Sequence, residues 1–155
     1  MAEVLFYHLE RRALEDMLLG LVERTLARNW KALIKCESAD RAAAIDTLLW
    51  TYDDQSFLPH AQTGDGDPKR QPVLIAVEDA NANGADVLFV VGGASAPAWN
   101  SDLAQSLSRI VVLFDGRDEE ALATARENWK QARDAGHAVT YWKQSSAGKW
   151  EKQGT

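Results

Sequence analysis

The sequence predicts a single α/β domain: a mostly parallel sheet with helices on both of its faces. Short, uniformly apolar runs alternate along the chain with longer stretches whose apolar residues recur every three or four positions. Parallel strands require a crossover segment between them, and that segment is usually a helix. The length of 155 residues fits one domain, and 46% hydrophobic residues can fill a core. We therefore expect one domain over residues 1–144 and a loosely ordered tail over 145–155.

Each predicted element follows from a local pattern. Short apolar runs predict strands at Glu3–Leu9 and at residues 31–37, 72–77, 85–93, 108–116 and 137–144. Helices are expected at 11–30, where the apolar residues line one face, at 38–53, and at 117–136. Ser38 is the candidate N-cap of the second helix and Gly136 the candidate C-cap of the last. A short helix is expected within residues 96–107.

The bulk charge excludes some classes of protein. The net charge is −6, whereas a surface devoted to nucleic acid needs a dense footprint of lysine and arginine. The single cysteine, Cys36, rules out an intrachain disulfide and a cysteine-based zinc cluster. The first residues lack the basic segment of a signal peptide, and no apolar run approaches the ~18 residues of a membrane span. We expect a cytoplasmic protein.

The glycine-containing segment TGDGDPKR does not match a phosphate-binding loop. Its Lys69 is followed by an arginine and then by a predicted strand, where such a loop needs serine or threonine and a helix. The turn after the first strand also lacks the glycines that let a backbone approach a pyrophosphate. The order of elements is Rossmann-like without the nucleotide fingerprint, so we expect no bound cofactor.

Catalytic and metal-binding patterns are also missing from the sequence. His8, His60 and His137 each stand alone in their segments, which favours structural roles over metal ligation. There is no G-x-S-x-G nucleophile motif, and Cys36 falls within a predicted buried strand, where a thiol is usually inert. We predict no catalytic residue and no metal site.

The last predicted helix carries the most informative pattern. Arg126, Lys130 and Arg133 are spaced at i, i+4 and i+7, and Trp129 lies beside them, so all four project from one face. One interpretation is an ordinary solvated face, since acidic residues are interspersed. The other is a receptor in which the cations bind carboxylates and the indole walls an apolar pocket, which suits an acidic peptide.

A second cluster of aromatic residues lies near the end of the second helix. Trp50, Tyr52 and Phe57 precede or enter the proline-containing segment SFLPH. Exposed aromatic residues beside such a segment often mark a protein interface. The alternative is that all three pack under the loop as a satellite core, and the sequence favours neither.

These stretches resemble a known family. The run LLWTYDDQSFLPHAQTGDGD followed by PVLIA, the helix ARENWKQARDAGH and the first strand VLFYHL are similar to motifs of the chi subunit of bacterial DNA polymerase III holoenzyme. The resemblance extends from Glu3 to about Trp142. It implies a Rossmann-like fold without nucleotide and a non-catalytic accessory subunit of the clamp-loader complex. That subunit pairs with the psi subunit and binds the acidic, Phe-ended C-terminal tail of single-stranded DNA-binding protein, so it contacts DNA only indirectly.

The resemblance also implies roles for individual residues. The tail-binding positions of the family fall on Arg126, Trp129 and Lys130 of this sequence. A further basic position of some members falls on Leu122, and we infer that Arg133, one turn beyond Lys130, compensates for the missing cation. The psi-contacting aromatic positions fall on Trp50 and Phe57.

Two alternative functions remain at the level of sequence. The first is a nucleotide- or small-molecule-binding protein or enzyme on the same scaffold, against which the missing motifs speak. The second is direct binding of single-stranded DNA through the six tryptophans and the basic helix.

Overall fold

The computed structural model describes residues 3–9, 14–51, 61–62, 73–77, 84–91, 94, 96–144 and 150–153. Within them the chain forms strands and helices in alternation. The strands are β1 (Glu3–Leu9), β2 (Ala32–Lys35), β3 (Ala61–Gln62), β4 (Val73–Ala76), β5 (Val87–Val91), β6 (Arg109–Asp115), β7 (Ala138–Gln144) and β8 (Trp150–Gln153). The helices are α1 (Leu14–Ala27), α2 (Ala39–Thr51), α3 (Asp102–Ser106) and α4 (Glu119–Asp134).

The strands form one sheet in the order β3-β4-β2-β5-β6-β1-β7-β8. Every neighbouring pair is parallel except β7 and β8. Strand β1 lies between β6 and β7, so Phe6 is in register with Val112 on one side and Tyr141 on the other. The predicted α/β fold with a mostly parallel sheet is confirmed.

The core has two halves because successive side chains of a strand point to opposite faces of the sheet. On one face Val111 and Leu113 of β6 pack in a cluster with residues of α1 and α2, among them Leu18 and Ile45. On the other face lie the intervening residues of β6, with Trp99, the buried Ala104 of α3 and two buried alanines of α4. Helices therefore cover both faces, as predicted.

Local capping explains where the helices begin and end. The Ser38 hydroxyl accepts a hydrogen bond from the amide of Arg41 at 3.1 Å, which confirms Ser38 as the N-cap of α2. Gly136 has a φ of 91°, and its amide and that of His137 donate to the carbonyls of Arg133 and Ala132. This left-handed glycine closes α4, as its sequence position predicted.

The sequence did not predict strands β3 and β8. Residues 150–153, which we expected to be a loose tail, pair antiparallel with β7, with Gln144 opposite Trp150. The outer edge of β7 carries backbone N–H and C=O groups that need partners, and β8 supplies them. None of the described helices is long and apolar enough to cross a membrane.

Candidate functional site

Helix α4 is held at both ends. The Asp118 carboxylate accepts hydrogen bonds from the amides of Glu120 at 3.0 Å and Ala121 at 3.3 Å, which caps the amino end. Acidic residues occupy the first turn and Arg133 the last, the arrangement that the helix dipole favours. The 16 residues between these caps present side chains along a rigid rod about 24 Å long.

The inner side of α4 fixes the position of Trp129. Ala125 and Ala132 are buried, and Leu122 and Trp129 pack half-buried against the same core cluster. These four residues follow the three-and-four spacing of one helical stripe. Trp129 is therefore anchored in the core on one side and reaches the surface on the other. Leu122, the position where some family members carry a cation, belongs to this apolar stripe.

The predicted cations lie on the outer side of α4. Arg126, Lys130 and Arg133 are all exposed. The Arg133 guanidinium stacks over the Trp129 ring at 4.8 Å from its centroid, and it lies 3.6 Å from the Asp134 carboxylate. In the described part of the chain, Arg126 and Lys130 have no ion-pairing carboxylate. The structure thus brings the four predicted residues together on one face and leaves two of the cations available to an anion.

Among the described residues, Asp134 is the carboxylate that pairs with a cation of this face. Glu127 accepts a hydrogen bond from the Gln131 side chain at 3.0 Å and so contacts an amide. The Trp129 indole N–H is buried and has no hydrogen-bond partner among the described residues. Such an unpaired donor costs about 1–3 kcal/mol, so Trp129 is held by apolar packing and by its contact with Arg133.

A cleft of about 310 Å³ lies beside this face and was not predicted from the sequence. It opens at the carboxyl ends of β5 and β6, where sheets of this kind usually bind ligands. None of the four predicted α4 residues lines it. The residues that line it are Val90, Ala94, Val112, Phe114, Asp118, Glu120, Ala121, Thr124, Ala125 and Asn128.

The charges in this cleft disfavour a nucleotide. The amides at the start of α4, which would otherwise bind a phosphate, already donate to Asp118. Glu120 adds a second carboxylate to the lining. The acidic run DGRDEE was the signal in the sequence that this end of the sheet repels anions.

The predicted psi-contacting residues fall at the limit of the described chain. Trp50 belongs to the last turn of α2, but its side chain lies outside the described residues, as does the whole of Phe57. Tyr52 and His60 also lie outside them. The interpretation of Trp50 and Phe57 as an interface stays a prediction.

Two of the three histidines, His8 and His137, are buried and make contacts within the core. The Nδ1 of His8 lies 2.9 Å from the Tyr141 hydroxyl, and its ring packs edge-on against Phe114. The Nε2 of His137 donates to the Trp99 carbonyl oxygen at 2.6 Å. Both side chains are buried, in agreement with the structural role predicted for them. His8 also occupies the space that a Cβ at Gly116 would fill, so glycine is needed there.

The single cysteine is protected from chemistry at neutral pH. Cys36 directly follows β2 and is buried. Burial, assisted by the nearby Glu37 carboxylate, raises the pKa of its thiol to about 11. The thiol therefore stays protonated, and the thiolate is the form that reacts. Among the described residues, no three histidine, cysteine, aspartate or glutamate side chains are grouped as a metal site would need.

Comparison with known proteins identifies a family. A family model described as the DNA polymerase III chi subunit, HolC, matches residues 1–140. A DNA polymerase III subunit chi of Escherichia coli is 29% identical over 144 residues, which cover 88% of this chain and 94% of that protein. The DNA polymerase III subunit chi of Haemophilus influenzae is 31% identical over 104 residues, which cover 66% of this chain and 68% of that protein. A probable subunit chi of Rickettsia prowazekii is 30% identical over 59% of this chain, and the match spans 55% of that relative.

Proposed function

The chain belongs to the DNA polymerase III chi subunit family, a family of replicative polymerase subunits, and we propose that it is a non-catalytic accessory subunit of the clamp-loader complex. In this proposal it bridges the replisome to single-stranded DNA-binding protein by binding the acidic C-terminal tail of that protein. It pairs with the psi subunit, works in the cytoplasm and contacts DNA only through its protein partner.

The outer face of α4 supports the tail as a ligand. Arg126 and Lys130 are exposed and have no ion-pairing carboxylate in the described chain, so a peptide carboxylate does not have to displace one. Beside them, Trp129 offers the exposed part of a ring that the core holds in place. Charge and apolar surface are thus adjacent, as an acidic peptide ending in phenylalanine requires.

The charge of the whole protein sets the strength of this interaction. A net charge of −6 repels an acidic tail at long range, so attraction depends on the few cations of α4. One apolar contact and two or three ion pairs correspond to a dissociation constant on the order of micromolar. Exposed ion pairs are screened by salt, so the affinity falls as ionic strength rises.

The proposed psi contact uses a different part of the molecule. Trp50 lies at the end of α2, a helix that covers the sheet face opposite α4. Together with Phe57 it provides the aromatic residues that the family resemblance assigns to psi. Binding of psi and binding of the tail are therefore independent in this proposal.

Titration of a tail peptide tests the assignment of the α4 face. We expect Arg126→Ala to weaken binding of a peptide with the acidic, Phe-ended sequence by about tenfold or more, because a charge-assisted hydrogen bond contributes about 1.5–3 kcal/mol. Calorimetric titration at low salt measures this difference. Amidation of the peptide terminus should cause a loss of similar size in the wild-type protein.

Two control variants accompany this titration. Arg117→Ala removes an exposed arginine that is paired with Asp115 outside the proposed face, and Trp50→Ala alters the proposed psi contact. Both should retain the wild-type affinity for the tail peptide. Equal affinity of wild type and Arg126→Ala would remove Arg126 from the proposed site.

A further inference from the structure

A second group of arginines surrounds a tryptophan on the opposite face of the sheet. It lies in a recess of about 150 Å³ between the second half of α1 and strands β1, β5 and β6. We call it the amino-edge site, because it includes the first residues of β5 and β6. It is defined by Tyr7, Arg24, Arg28, Trp30 and Arg109, all of which line the recess.

Trp30 holds two of these arginines in place. The guanidinium carbons of Arg28 and Arg109 lie 5.3 Å and 5.5 Å from the centre of its ring. Both distances lie within the ~6 Å at which an arginine is attracted to the face of an aromatic ring, and a guanidinium can bind an anion by two hydrogen bonds. Trp30 itself is half-buried against the core, so this platform is fixed.

The charge of the amino-edge site is incompletely balanced. Glu3 pairs with Arg109 at 2.9 Å between Oε1 and Nε, but the buried Nε–H makes no directed hydrogen bond. Arg24 and Arg28 have no ion-pairing carboxylate in the part of the chain that the structure describes. Among the described residues, only the Glu3 carboxylate therefore pairs with one of the three arginines, and the other two guanidinium groups have no ion-pairing partner in a protein whose net charge is −6.

The dipole of α1 accounts for only part of this arrangement. Arg24 lies in the last turn of α1 and Arg28 just beyond it, where cations are favoured. Arg109 comes from the start of β6, so the dipole does not explain its presence. The charges also reach Tyr7: burial raises the pKa of its phenol, and Arg109 and Arg24 oppose that rise.

We propose that the amino-edge site binds a phosphate group carrying two negative charges, either free phosphate or the terminal phosphate of a nucleic acid strand. The volume of about 150 Å³ is below the ~300–1,000 Å³ of pockets that enclose whole small molecules, so it fits an anionic group and not a complete nucleotide. A carboxylate has two oxygens and one charge, which a single arginine satisfies. A terminal phosphate has three oxygens and about −1.5 to −2 charge, which matches three arginines offset by one glutamate.

Calorimetric titration with inorganic phosphate tests this proposal. We expect the wild-type protein to bind phosphate with a dissociation constant on the order of 1 mM, as a few exposed charge-assisted contacts provide. The double variant Arg28→Gln/Arg109→Gln should bind at least tenfold more weakly. A matched double variant, Arg41→Gln/Arg117→Gln, removes two arginines that pair with Glu37 and Asp115 elsewhere, and should bind as the wild type does.

A second measurement does not depend on the folding of the variants. In the wild-type protein, phosphate should shift the NMR signal of the Trp30 indole N–H more than those of the other five tryptophans. Absence of binding, an unshifted Trp30, or undiminished binding by a folded Arg28→Gln/Arg109→Gln variant would overturn the proposal. Acetate competing as well as phosphate would also overturn it, in favour of a carboxylate or an acidic peptide.

The source of the phosphate is distinguished by a pair of oligonucleotides. Tighter binding of a 5′-phosphorylated strand than of the same strand with a 5′-hydroxyl identifies a strand end as the ligand. Equal and weak binding of both, with phosphate still bound, identifies the free anion. This site and the α4 face lie on opposite faces of the sheet, so either proposal can fail without the other.

Discussion

Two arginine–tryptophan contacts lie on opposite faces of the sheet and are assembled in different ways. On α4, Arg133 stacks on Trp129, and both residues belong to one helix. At the amino-edge site, Trp30 carries Arg28 from its own segment and Arg109 from a distant strand. The first contact depends only on helical spacing, whereas the second also requires that α1, β1 and β6 be correctly placed.

The surroundings of the two contacts also differ, and this difference suits them to different ligands. The cations of α4 are exposed beside the uncovered part of a ring, which suits an extended peptide with an apolar end. The cations of the amino-edge site line a small recess, and two of their guanidinium groups lie against its tryptophan. In the two proposals, the same pair of residue types binds a peptide in one place and a compact anion in the other.

The largest expected effects come from removing the two tryptophans. Trp30→Ala and Trp129→Ala should each lower the free energy of unfolding by about 2 kcal/mol, below the value for a fully buried tryptophan because both are half-buried. Substitution by phenylalanine should have different effects on stability at the two positions. Trp129→Phe removes an indole N–H that is buried and has no partner among the described residues, whereas the indole N–H of Trp30 is not one of the buried unpaired groups found there. Trp129→Phe should therefore cost less than Trp30→Phe.

Urea unfolding followed by circular dichroism measures these differences in the free energy of unfolding. The comparison requires that all four variants keep the wild-type slope with denaturant. If Trp129→Phe destabilises the protein more than Trp30→Phe, the indole N–H of Trp129 has a partner in solution, and the two tryptophans differ less than the structure indicates.

An effect of intermediate size should come from removing the carboxylate beside each contact. Glu3 competes with a ligand for Arg109 at 2.9 Å, so Glu3→Gln should increase phosphate affinity about two- to fivefold. Asp134 lies 3.6 Å from Arg133 and is 63% exposed, so Asp134→Asn should increase tail affinity less than about twofold. Titrations of both variants with both ligands measure the contrast, and unchanged or weaker phosphate binding by Glu3→Gln would contradict it.

The smallest expected effect is a change in the titration of Tyr7. Burial raises the pKa of its phenol, and the positive charge of Arg109 lowers it. Arg109→Gln should therefore raise the pKa of Tyr7 further, and Arg24→Gln should raise it by less. Ultraviolet titration at alkaline pH measures the pKa, and Tyr7→Phe identifies the transition of Tyr7 among the three tyrosines.

The sign of the stability effect follows from the direction of this shift. A phenol whose pKa is higher in the folded state keeps its proton there when the unfolded chain would lose it. Its contribution to stability is fully present below the ordinary value of 10.0 and is lost as pH rises through the raised pKa. An unchanged pKa in Arg109→Gln would place the arginine charge farther from Tyr7 than the recess indicates.

The sequence predicted those features that depend on neighbouring residues. The spacing of Arg126, Lys130 and Arg133 placed them on one face because an α-helix has a fixed period of 3.6 residues. Ser38 and Gly136 marked helix ends because capping involves only the adjacent turn. Apolar runs located the central strands within a few residues, since strands buried on both faces tolerate few polar residues.

Only the tertiary structure decided the features that join distant segments. Strand β8 forms because β7 presents an open edge. The sequence of residues 145–155 does not show that such an edge is available, so β8 was not predicted. Arg109 reaches Trp30 and Glu3 because β1 and β6 pair in a register that sets Glu3 directly beside Arg109. Local spacing is fixed by the geometry of the backbone, but contacts between segments depend on strand order and register. The sequence by itself therefore determined the cationic face of α4, and the folded sheet determined the amino-edge site.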